Sequence, residues 1–278
     1  MKQALLRALQ TLLPLALRCR LAVWLDRQSI FSSGKWWAVR LLSDFAAADV
    51  DGYHRFLWKH HLGYAESYEI EQRFGTQQIH ATRHILFNEL ERWFEGREIA
   101  LRDDIHSVFE VGCSLGYLLR YLETDLLRAP QRLAGVDIDE TAIRQGASYL
   151  RSLESIVELH AADMDRLPEL LAATRYDLFL CCGVLMYTRS DQAQRIVETM
   201  LEHGRYVAIS GLAHPERDNR ELTESTVRER DGTFIHNVDE LVERAGGRVL
   251  YRRWDGAEMI DGNTIYFVLA ERAEGGSK

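Results

Sequence analysis

The chain has 278 residues, and 46% of them are hydrophobic, which is enough apolar material for a sizeable core and excludes global disorder. Its 34 basic and 42 acidic residues give a net charge of −8. Because a duplex-binding protein usually carries a basic excess, nucleic acid is disfavoured as the main ligand. The four cysteines, Cys19, Cys113, Cys181 and Cys182, include no Cys-x-x-Cys pair. This pattern predicts a reducing, cytoplasmic compartment, with neither a disulfide framework nor a metal site.

The first 40 residues are basic although the whole chain is acidic. They hold seven lysines and arginines against one acid, Asp26. Leucines at helical spacing over residues 5–17 predict an amphipathic helix, and arginines at 7, 18 and 20 interrupt the apolar runs that a signal peptide or a spanning helix needs. Two interpretations stay open: a helix packed on the rest of the chain, or a basic helix of residues 1–28 resting peripherally on an anionic membrane surface.

Residues 1–100 are predicted to be helical and to form a cap, or substrate lid, for a core that spans residues 101–278. Five of the six tryptophans lie in this first part, among apolar residues at three- and four-residue spacing. Residues 58–68, followed by Arg73-Phe-Gly75, are dense in side chains that stack and form hydrogen bonds. This stretch is interpreted either as an acceptor contact or as a surface helix with buried aromatic faces.

From about residue 105, short β-rich apolar runs alternate with segments of helical periodicity. The predicted strands are 107–111, 132–136, 156–160, 176–181, 206–210, 248–251 and 264–270, and the predicted helices are 116–127, 141–153, 191–202 and 237–245. This alternation is typical of βαβ units, in which helices cover both faces of a mostly parallel sheet. The sequence therefore predicts an α/β fold with a doubly wound sheet.

The turn after the first predicted strand is the most informative segment. In Val108-Phe-Glu-Val-Gly-Cys-Ser-Leu-Gly116 a buried strand ends at residues 110–111, and two glycines open a tight turn into a helix. Glycines there allow a ligand to approach the backbone. Twenty-one residues further on, Asp137 ends the second strand, where an acid is placed to accept both hydroxyls of a ribose. Asp163, after the third strand, is placed to accept a hydrogen bond from an adenine amino group.

Four segments in this order resemble the motif set of class I S-adenosylmethionine-dependent methyltransferases, over about residues 105–272. They are Glu110-Val-Gly-Cys-Ser-Leu-Gly116, Val136-Asp137-Ile138, Ala162-Asp163-Met164 and Tyr176-Asp-Leu-Phe-Leu-Cys-Cys-Gly-Val-Leu-Met-Tyr187. The resemblance implies a seven-stranded sheet that ends in a hairpin, with S-adenosylmethionine as cofactor and S-adenosylhomocysteine as its product. The cofactor-binding residues that it implies are Glu110, Gly112, Cys113, Ser114, Gly116, Asp137, Ile138, Asp163, Met164, Cys182 and Gly183.

One position departs from the family's pattern, which often has glycine where this chain has Ser114. We expect the serine to be accommodated with a backbone φ below zero. The rival cofactor is a nicotinamide dinucleotide of an oxidoreductase, whose fingerprint is Gly-x-Gly-x-x-Gly. Serine at position 114 and tyrosine at position 117 disfavour it.

Candidate catalytic residues come from the loops beyond the strand C-termini, where ligands of such sheets bind. His214 follows the fifth predicted strand, Tyr187 follows the fourth, and His236 precedes a helix. Transfer to a hydroxyl is assisted by a base, whereas an amine need only be neutral. His214 is therefore a candidate base, and His236 is either a base or a structural neighbour of the predicted helix cap at Asn237.

Two sequence patterns that are absent restrict the expected class of methyl acceptor. Strand four is not followed by the Asn/Asp-Pro-Pro-aromatic run that resembles enzymes methylating planar nitrogens, and Cys181–Cys182 lack the proline of cysteine-using RNA methyltransferases. The expected acceptor is a small molecule or a lipid or sugar conjugate, with O-methylation favoured over N-methylation. Arg252, Arg253 and Trp254 are candidate acceptor contacts. The alternatives are an RNA or protein methyltransferase, or a non-catalytic, cofactor-binding partner subunit.

Overall fold

A computed structural model of the chain describes residues 8–27, 41–62, 70–71, 74–75, 81–228, 232–254, 259–260 and 263–273. The chain divides into two compact units, Met1–Ser67 and Tyr68–Lys278. A boundary near residue 100 was predicted, but residues 81–94 form a helix of the second unit. The function of the N-terminal residues as a substrate lid stays a prediction, and Tyr64, Tyr68 and Arg73 of the predicted contact lie outside the described residues.

Among the described residues of the first unit lie the helices α1 (Leu15–Arg27), α2 (Ser43–Ala48) and α3 (Val50–Lys59), and residues 8–12 are also helical. Asp49 caps α3, since its carboxylate accepts a hydrogen bond from the backbone N–H of Gly52 at 3.0 Å. The buried apolar residues of this unit form one cluster: Ala22, Leu41, Leu42, Tyr53, Leu57 and Leu62. None of the helices in the described part of the chain is long and apolar enough to cross a membrane.

Arg18, one of the basic residues of α1, is turned into the first unit. Its guanidinium donates to both carboxylate oxygens of Asp44, at 2.5 and 2.7 Å, and to the Leu41 carbonyl at 3.0 Å. Such two-pronged pairing is among the stronger kinds of hydrogen bonding in proteins. Arg18 therefore holds α1 against α2 and does not belong to the basic surface that the sequence suggests.

The second unit is built on a sheet whose strands follow the order β3-β2-β1-β4-β5-β10-β8. Their bounds are β1 Ser107–Val111, β2 Arg132–Asp137, β3 Val157–Ala161, β4 Tyr176–Cys182, β5 Gly204–Leu212, β8 Gly247–Arg253 and β10 Asn263–Arg272. The first five strands are mutually parallel, and β10 is antiparallel to both β5 and β8. Two-residue strands β6 (Thr226–Val227) and β7 (Phe234–Ile235) pair with each other, and β9 (Met259–Ile260) pairs with β10.

Helices cover both faces of this sheet. On one face lie α4 (Ala81–Phe94), α6 (Tyr117–Tyr121) and α7 (Glu140–Ser152), and on the other lie α8 (Leu167–Leu171), α9 (Ser190–His203) and α10 (Val238–Arg244); the four-residue α5 (Leu101–Asp104) precedes β1. Neighbouring strand residues alternate between the two cores, as Val108 and Phe109 do, because strand side chains point to opposite faces. The predicted doubly wound, seven-stranded fold class is confirmed.

A buried cluster of charges fastens α4 to strand β8. Glu89 of α4 is almost fully buried and accepts hydrogen bonds from Arg253 at 2.7 Å, from Arg92 at 3.0 Å and from the Tyr251 hydroxyl at 2.5 Å. A buried carboxylate is tolerated only when it is paired and hydrogen-bonded. Arg253, predicted as an acceptor contact, is thus a partner of Glu89 inside the fold.

We expect the Glu89→Ala substitution to lower the free energy of unfolding by about 3 kcal/mol, because it leaves the Arg253 guanidinium without its carboxylate. The matched control is Glu91→Ala on the same helix, whose ion pair with Arg102 is partly exposed and is worth less than about 1 kcal/mol. Urea unfolding followed by circular dichroism measures both values. Equal losses in the two variants would contradict a special role for the buried cluster.

Candidate functional site at the carboxyl edge of the sheet

The turn between β1 and α6 contains three residues with positive φ. They are Gly112 at 76°, Ser114 at 50° and Gly116 at 82°. The expectation that Ser114 keeps a φ below zero is wrong: the serine adopts the left-handed conformation, which costs a residue with a Cβ about 1–2 kcal/mol. This cost gives a physical reason for glycine at the same position elsewhere in the family that the sequence resembles. Strain of this kind is concentrated at functional sites.

The two glycines of the turn are required by packing as well as by φ. A Cβ at Gly112 would lie 2.2 Å from a methyl group of Val184, and a Cβ at Gly116 would lie 2.9 Å from a methyl group of Leu159. The space beside these glycines is therefore filled by the protein's own side chains. At Gly183 and Gly211, beyond β4 and near the end of β5, an added Cβ would meet no atom within 4 Å.

Asp137, the predicted ribose acid, ends β2 and holds the neighbouring turn in place. One carboxylate oxygen accepts from the backbone N–H of Ser114 at 2.9 Å, and the other accepts from the backbone N–H of Asp139 at 2.9 Å. Burial raises the pKa of Asp137, although these two donors favour its charged form. Since each carboxylate oxygen can accept two hydrogen bonds, each has one lone pair left for a further donor, such as a hydroxyl.

Two buried polar atoms beside Asp137 lack partners among the described residues. They are Oε2 of Glu110, whose residue is only 3% exposed, and the hydroxyl oxygen of Ser114. Burial, together with the nearby Asp137 charge, raises the pKa of Glu110 well above its usual range. Leaving buried polar atoms unsatisfied costs free energy unless a ligand pairs with them. Three adjacent acceptors with spare capacity fit a ligand rich in hydroxyl and amino donors.

The predicted adenine-side residues surround the same edge. Asp163 begins a 3-10 turn, Met164–Arg166, and accepts from the Asp165 backbone N–H at 3.1 Å; Met164 and Ile138 are half-buried.

Cys182 ends β4, where its sulfur accepts a hydrogen bond from the Ser210 hydroxyl at 2.9 Å. Burial raises the pKa of Cys182 to about 12, and burial likewise raises that of Cys113 well above its usual range. The raised pKa favours the neutral thiol at both positions, which agrees with a packing role for the two sulfurs.

His214 and His236 occupy different environments. His214 is half-exposed beyond β5, where its Nδ1 accepts from the Glu216 backbone N–H at 3.2 Å. His236 is almost fully buried, with its Nε2 2.9 Å from the Leu185 carbonyl oxygen and its Nδ1 2.7 Å from the Ser225 hydroxyl. Since a carbonyl only accepts, Nε2 of His236 carries a proton. Burial lowers the pKa of His236, so its ring is neutral and Nδ1 accepts from Ser225.

His236 therefore links two loops at the carboxyl edge. Leu185 begins the 3-10 turn Leu185–Tyr187, which contains the half-buried candidate Tyr187, and His236 fixes that turn from the segment beyond β7. Both nitrogens of His236 are engaged by protein groups. This environment is that of a positioning residue, which is the structural alternative that the sequence left open.

Asn219, which the sequence pattern did not single out, organises the loop after β5. Its buried side-chain amide donates to the carbonyl oxygens of Leu212 at 3.0 Å and His236 at 2.8 Å. Its side-chain oxygen accepts from the backbone N–H of His214 at 2.8 Å. Asn219 thus fixes the backbone at both histidines. An asparagine following an aspartate in a polar loop carries no sequence signal for this role, because its partners are brought together only by the fold.

Arg252 is not available as the predicted acceptor contact. Its guanidinium pairs with Asp218 and lies 3.4 Å from Asp239, and its Nε is 3.2 Å from the Tyr266 hydroxyl. Trp254, the third predicted contact, is half-buried, and its indole N–H lacks a partner in the described part of the chain. No group of three histidines, cysteines or acids within the described ranges is placed to hold a metal ion.

We expect Ser114→Gly to raise the free energy of unfolding by about 1 kcal/mol, because glycine adopts the left-handed conformation without the Cβ penalty. The backbone N–H that binds Asp137 is retained. Ser148→Gly, in the middle of α7, serves as the control and is expected to lower stability by about 0.5 kcal/mol. Chemical denaturation measures the free energy of unfolding of both variants. A loss of stability in Ser114→Gly would contradict backbone strain at Ser114.

Glu110→Gln is expected to stabilise the ligand-free protein at neutral pH by about 0.5–2 kcal/mol, as relief of a strained functional site commonly does. The pKa of Glu110 is raised on folding, so its protonated form contributes stability at low pH that is lost as the pH rises through the folded-state pKa. The advantage of the glutamine variant should therefore grow from pH 5 to pH 8. Denaturation midpoints across this range test it, and a pH-independent difference would contradict the raised pKa.

Comparisons with known proteins bear on the family to which the fold belongs. A family model described as a methyltransferase domain matches residues 108–205. No protein of curated function matches the sequence at a significant level. A solved S-adenosylmethionine-dependent methyltransferase from Clostridium acetobutylicum ATCC 824 is 11% identical, with a TM-score of 0.50 over 70% of this chain and 94% of that chain.

Two further solved structures are similar at lower TM-scores. Magnesium protoporphyrin IX methyltransferase from Synechocystis PCC 6803 with bound SAM is 13% identical, with a TM-score of 0.48 over 83% of this chain and 94% of that chain. The N-terminal domain of EvdMO1, in the presence of SAH and D-fucose, is 18% identical, with a TM-score of 0.49 over 70% and 84%. At these identities the similarity is one of fold. The family match over residues 108–205 and the confirmed topology show that the chain carries a methyltransferase domain with the class I fold.

Proposed function

We propose that this methyltransferase transfers its methyl group to a small molecule or to an amphipathic lipid or sugar conjugate, with oxygen favoured over nitrogen as the acceptor atom. The observation that carries the proposal is the composition of the carboxyl edge beyond β4 and β5. The segment after β4 is Gly183-Val-Leu-Met-Tyr187, and the segment after β5 contributes His214. Phenol and imidazole groups suit a hydroxyl acceptor, whereas the run associated with planar nitrogens is absent from the sequence.

The cofactor-binding residues are proposed from the donors and acceptors at the edge. Asp137 is assigned to the ribose hydroxyls through its two remaining lone pairs, and Glu110 and Ser114 to the amino acid part, because their buried oxygens lack partners in the described part of the chain. Asp163, Met164 and Ile138 are assigned to the adenine. When bound, S-adenosylmethionine supplies a methyl group on a sulfonium, which an in-line displacement transfers.

His214 is proposed to contact the acceptor. Because the Glu216 N–H donates to Nδ1, the neutral ring carries its proton on Nε2 and presents a donor towards a ligand. The ring takes a proton from an acceptor hydroxyl only after the Glu216 N–H has released Nδ1. His236 is proposed to act through Leu185 by holding the turn that carries Tyr187. The acidic net charge of −8 supports an acceptor other than RNA.

The proposal is tested by incubating the purified chain with methyl-labelled S-adenosylmethionine and a cell extract separated into small-molecule, lipid, RNA and protein fractions. We expect label in the small-molecule or lipid fraction. His214→Ala should lower kcat by about a hundredfold, as loss of a proton-transferring or orienting group does. Transfer by His214→Ala at the rate of the intact chain would contradict a contact between His214 and the acceptor.

The control is calorimetric titration with S-adenosylmethionine and S-adenosylhomocysteine. Asp137→Ala should weaken binding about ten- to a hundredfold, and Asp165→Ala, an exposed acid of the next loop, should leave affinity within about twofold. Label in RNA or protein would overturn the acceptor class. Intact cofactor binding with no transfer to any fraction would instead indicate a non-catalytic partner subunit.

A further inference from the structure

Apolar side chains at the N-terminus of the first unit face solvent. Leu12 is 78% exposed, Leu17 is 46% exposed and Trp24 is 54% exposed. Of the seven large hydrophobic side chains that are exposed in the described part of the chain, four lie between residues 12 and 24. Single exposed leucines are ordinary, but a local group that includes a tryptophan marks an interaction surface.

The exposed residues of α1 form one stripe on the side away from the unit's core. Leu17, Arg20 and Trp24 follow one another at spacings of three and four residues, so they share a helix face. The opposite face carries the buried Ala22 and the buried Arg18, which is bound to Asp44. The helix therefore packs with one face and presents an arginine between a leucine and a tryptophan with the other. We call Leu17, Arg20 and Trp24 the outer stripe.

We propose that the outer stripe docks the protein on the surface of a bilayer that contains anionic lipids. Residues 1–40 have seven basic groups and one acidic group in the sequence, while the whole chain has a net charge of −8. Of these basic groups, Arg18 is paired with Asp44, and Arg20 lies exposed on the outer stripe between Leu17 and Trp24. Tryptophan is suited to the membrane–water interface, because its ring is apolar and its indole N–H is polar. None of the described helices is long and apolar enough to cross the bilayer, so the contact lies in the interfacial plane.

Charge also decides against a second copy of the chain as the occupant. A twofold dimer centred on this stripe would bring Arg20 close to its own copy, because Arg20 lies in the middle of the stripe. An anionic headgroup layer complements Arg20 and receives Leu17 and Trp24 below it. The acceptor of the methyl transfer does not enter this argument, so the docking proposal stands or fails separately from the proposed function.

Removing the whole helix would be a poor test, because Ala22 and Arg18 belong to the packed side of the unit. The sharper variants change the outer stripe alone: the double substitution Leu17→Ser with Trp24→Ser, and Arg20→Gln. The matched control is Leu153→Ser with Ile156→Ser, which removes two exposed apolar side chains of the second unit. Circular dichroism and denaturation midpoints establish that each variant is folded.

Flotation of the full chain is measured with vesicles of phosphatidylcholine alone and with vesicles in which about one lipid in four is phosphatidylglycerol. We expect the intact protein to float with the anionic vesicles, the double variant to bind at least about tenfold more weakly and Arg20→Gln about fivefold more weakly, with no change in the control. No flotation of the intact protein, or equal flotation of the double variant, would overturn the proposal. So would a dimer of the intact protein in solution that the double variant abolishes.

Discussion

The carboxylate of Asp137 joins two turns that belong to different strands. It accepts the Ser114 N–H from the turn after β1 and the Asp139 N–H from the turn after β2, so the positions of both turns depend on one buried charge. The Val136 carbonyl adds to this connection by accepting from the N–H groups of Gly112 and Cys113, at 2.8 and 3.0 Å. The left-handed conformation of Ser114 is held by these bonds, because a free chain would avoid it. The protein's own hydrogen bonds thus hold both turns in place at this end of the edge.

The loops after β4 and β5 are held in place by neutral groups and by paired charges. Asn219 fixes the loop after β5, and His236 fixes the turn after β4. The Asn219 amide donates to the His236 carbonyl oxygen, so the two loops are connected. Arg252 then ties Asp218 of the same loop to Asp239 on α10. These contacts bring Tyr187 and His214 to one edge on backbones that are individually constrained. Pre-organised backbones are what positioning an acceptor for in-line transfer requires.

The sequence predicted the sheet well because its signal is local. The predicted strands agree with β1, β2, β3, β4, β5, β8 and β10 to within a few residues at each end, since each is an apolar run bounded by turn signals. The predicted helix 116–127 contains a change that periodicity does not reveal: α6 ends at Tyr121, and Leu122–Leu126 form a π turn in which Leu127 N–H bonds to the Leu122 carbonyl. Helix α8 has five residues and was too short to show a period.

Side-chain contacts between segments that are separated in the sequence could not be predicted from local sequence patterns. Asn219 bonds to partners five, seven and seventeen positions away, and Glu89 bonds to Tyr251 and Arg253 more than a hundred and sixty positions away. The internal pairing of Arg252 and Arg253 removed two predicted acceptor contacts. The candidate cofactor residues could be proposed from the sequence because the motif carries them in a fixed order along neighbouring strands, and their roles stay predictions. The φ of Ser114 could not, because a serine is compatible with either sign until the bonds to β2 are known.

Carboxylates at the two edges of the sheet differ in their hydrogen bonding and in the direction of their pKa shifts. At the amino edge, Asp177 accepts three hydrogen bonds from residues 106–107. Near the start of β3, burial alone would raise the pKa of Glu123, but hydrogen bonds from the Ser155 hydroxyl, the Ile156 N–H and Arg120 lower it. At the carboxyl edge, Glu110 keeps an oxygen without a partner among the described residues, and its pKa is raised. Burying the Glu110 carboxyl with an unpaired oxygen lowers the free energy of unfolding. A ligand that donates a hydrogen bond to this oxygen would restore that stability on binding. The Glu110 oxygen, unpaired within the described part of the chain, is therefore a physical argument, separate from the sequence motif, for proposing the carboxyl edge as the ligand-binding edge.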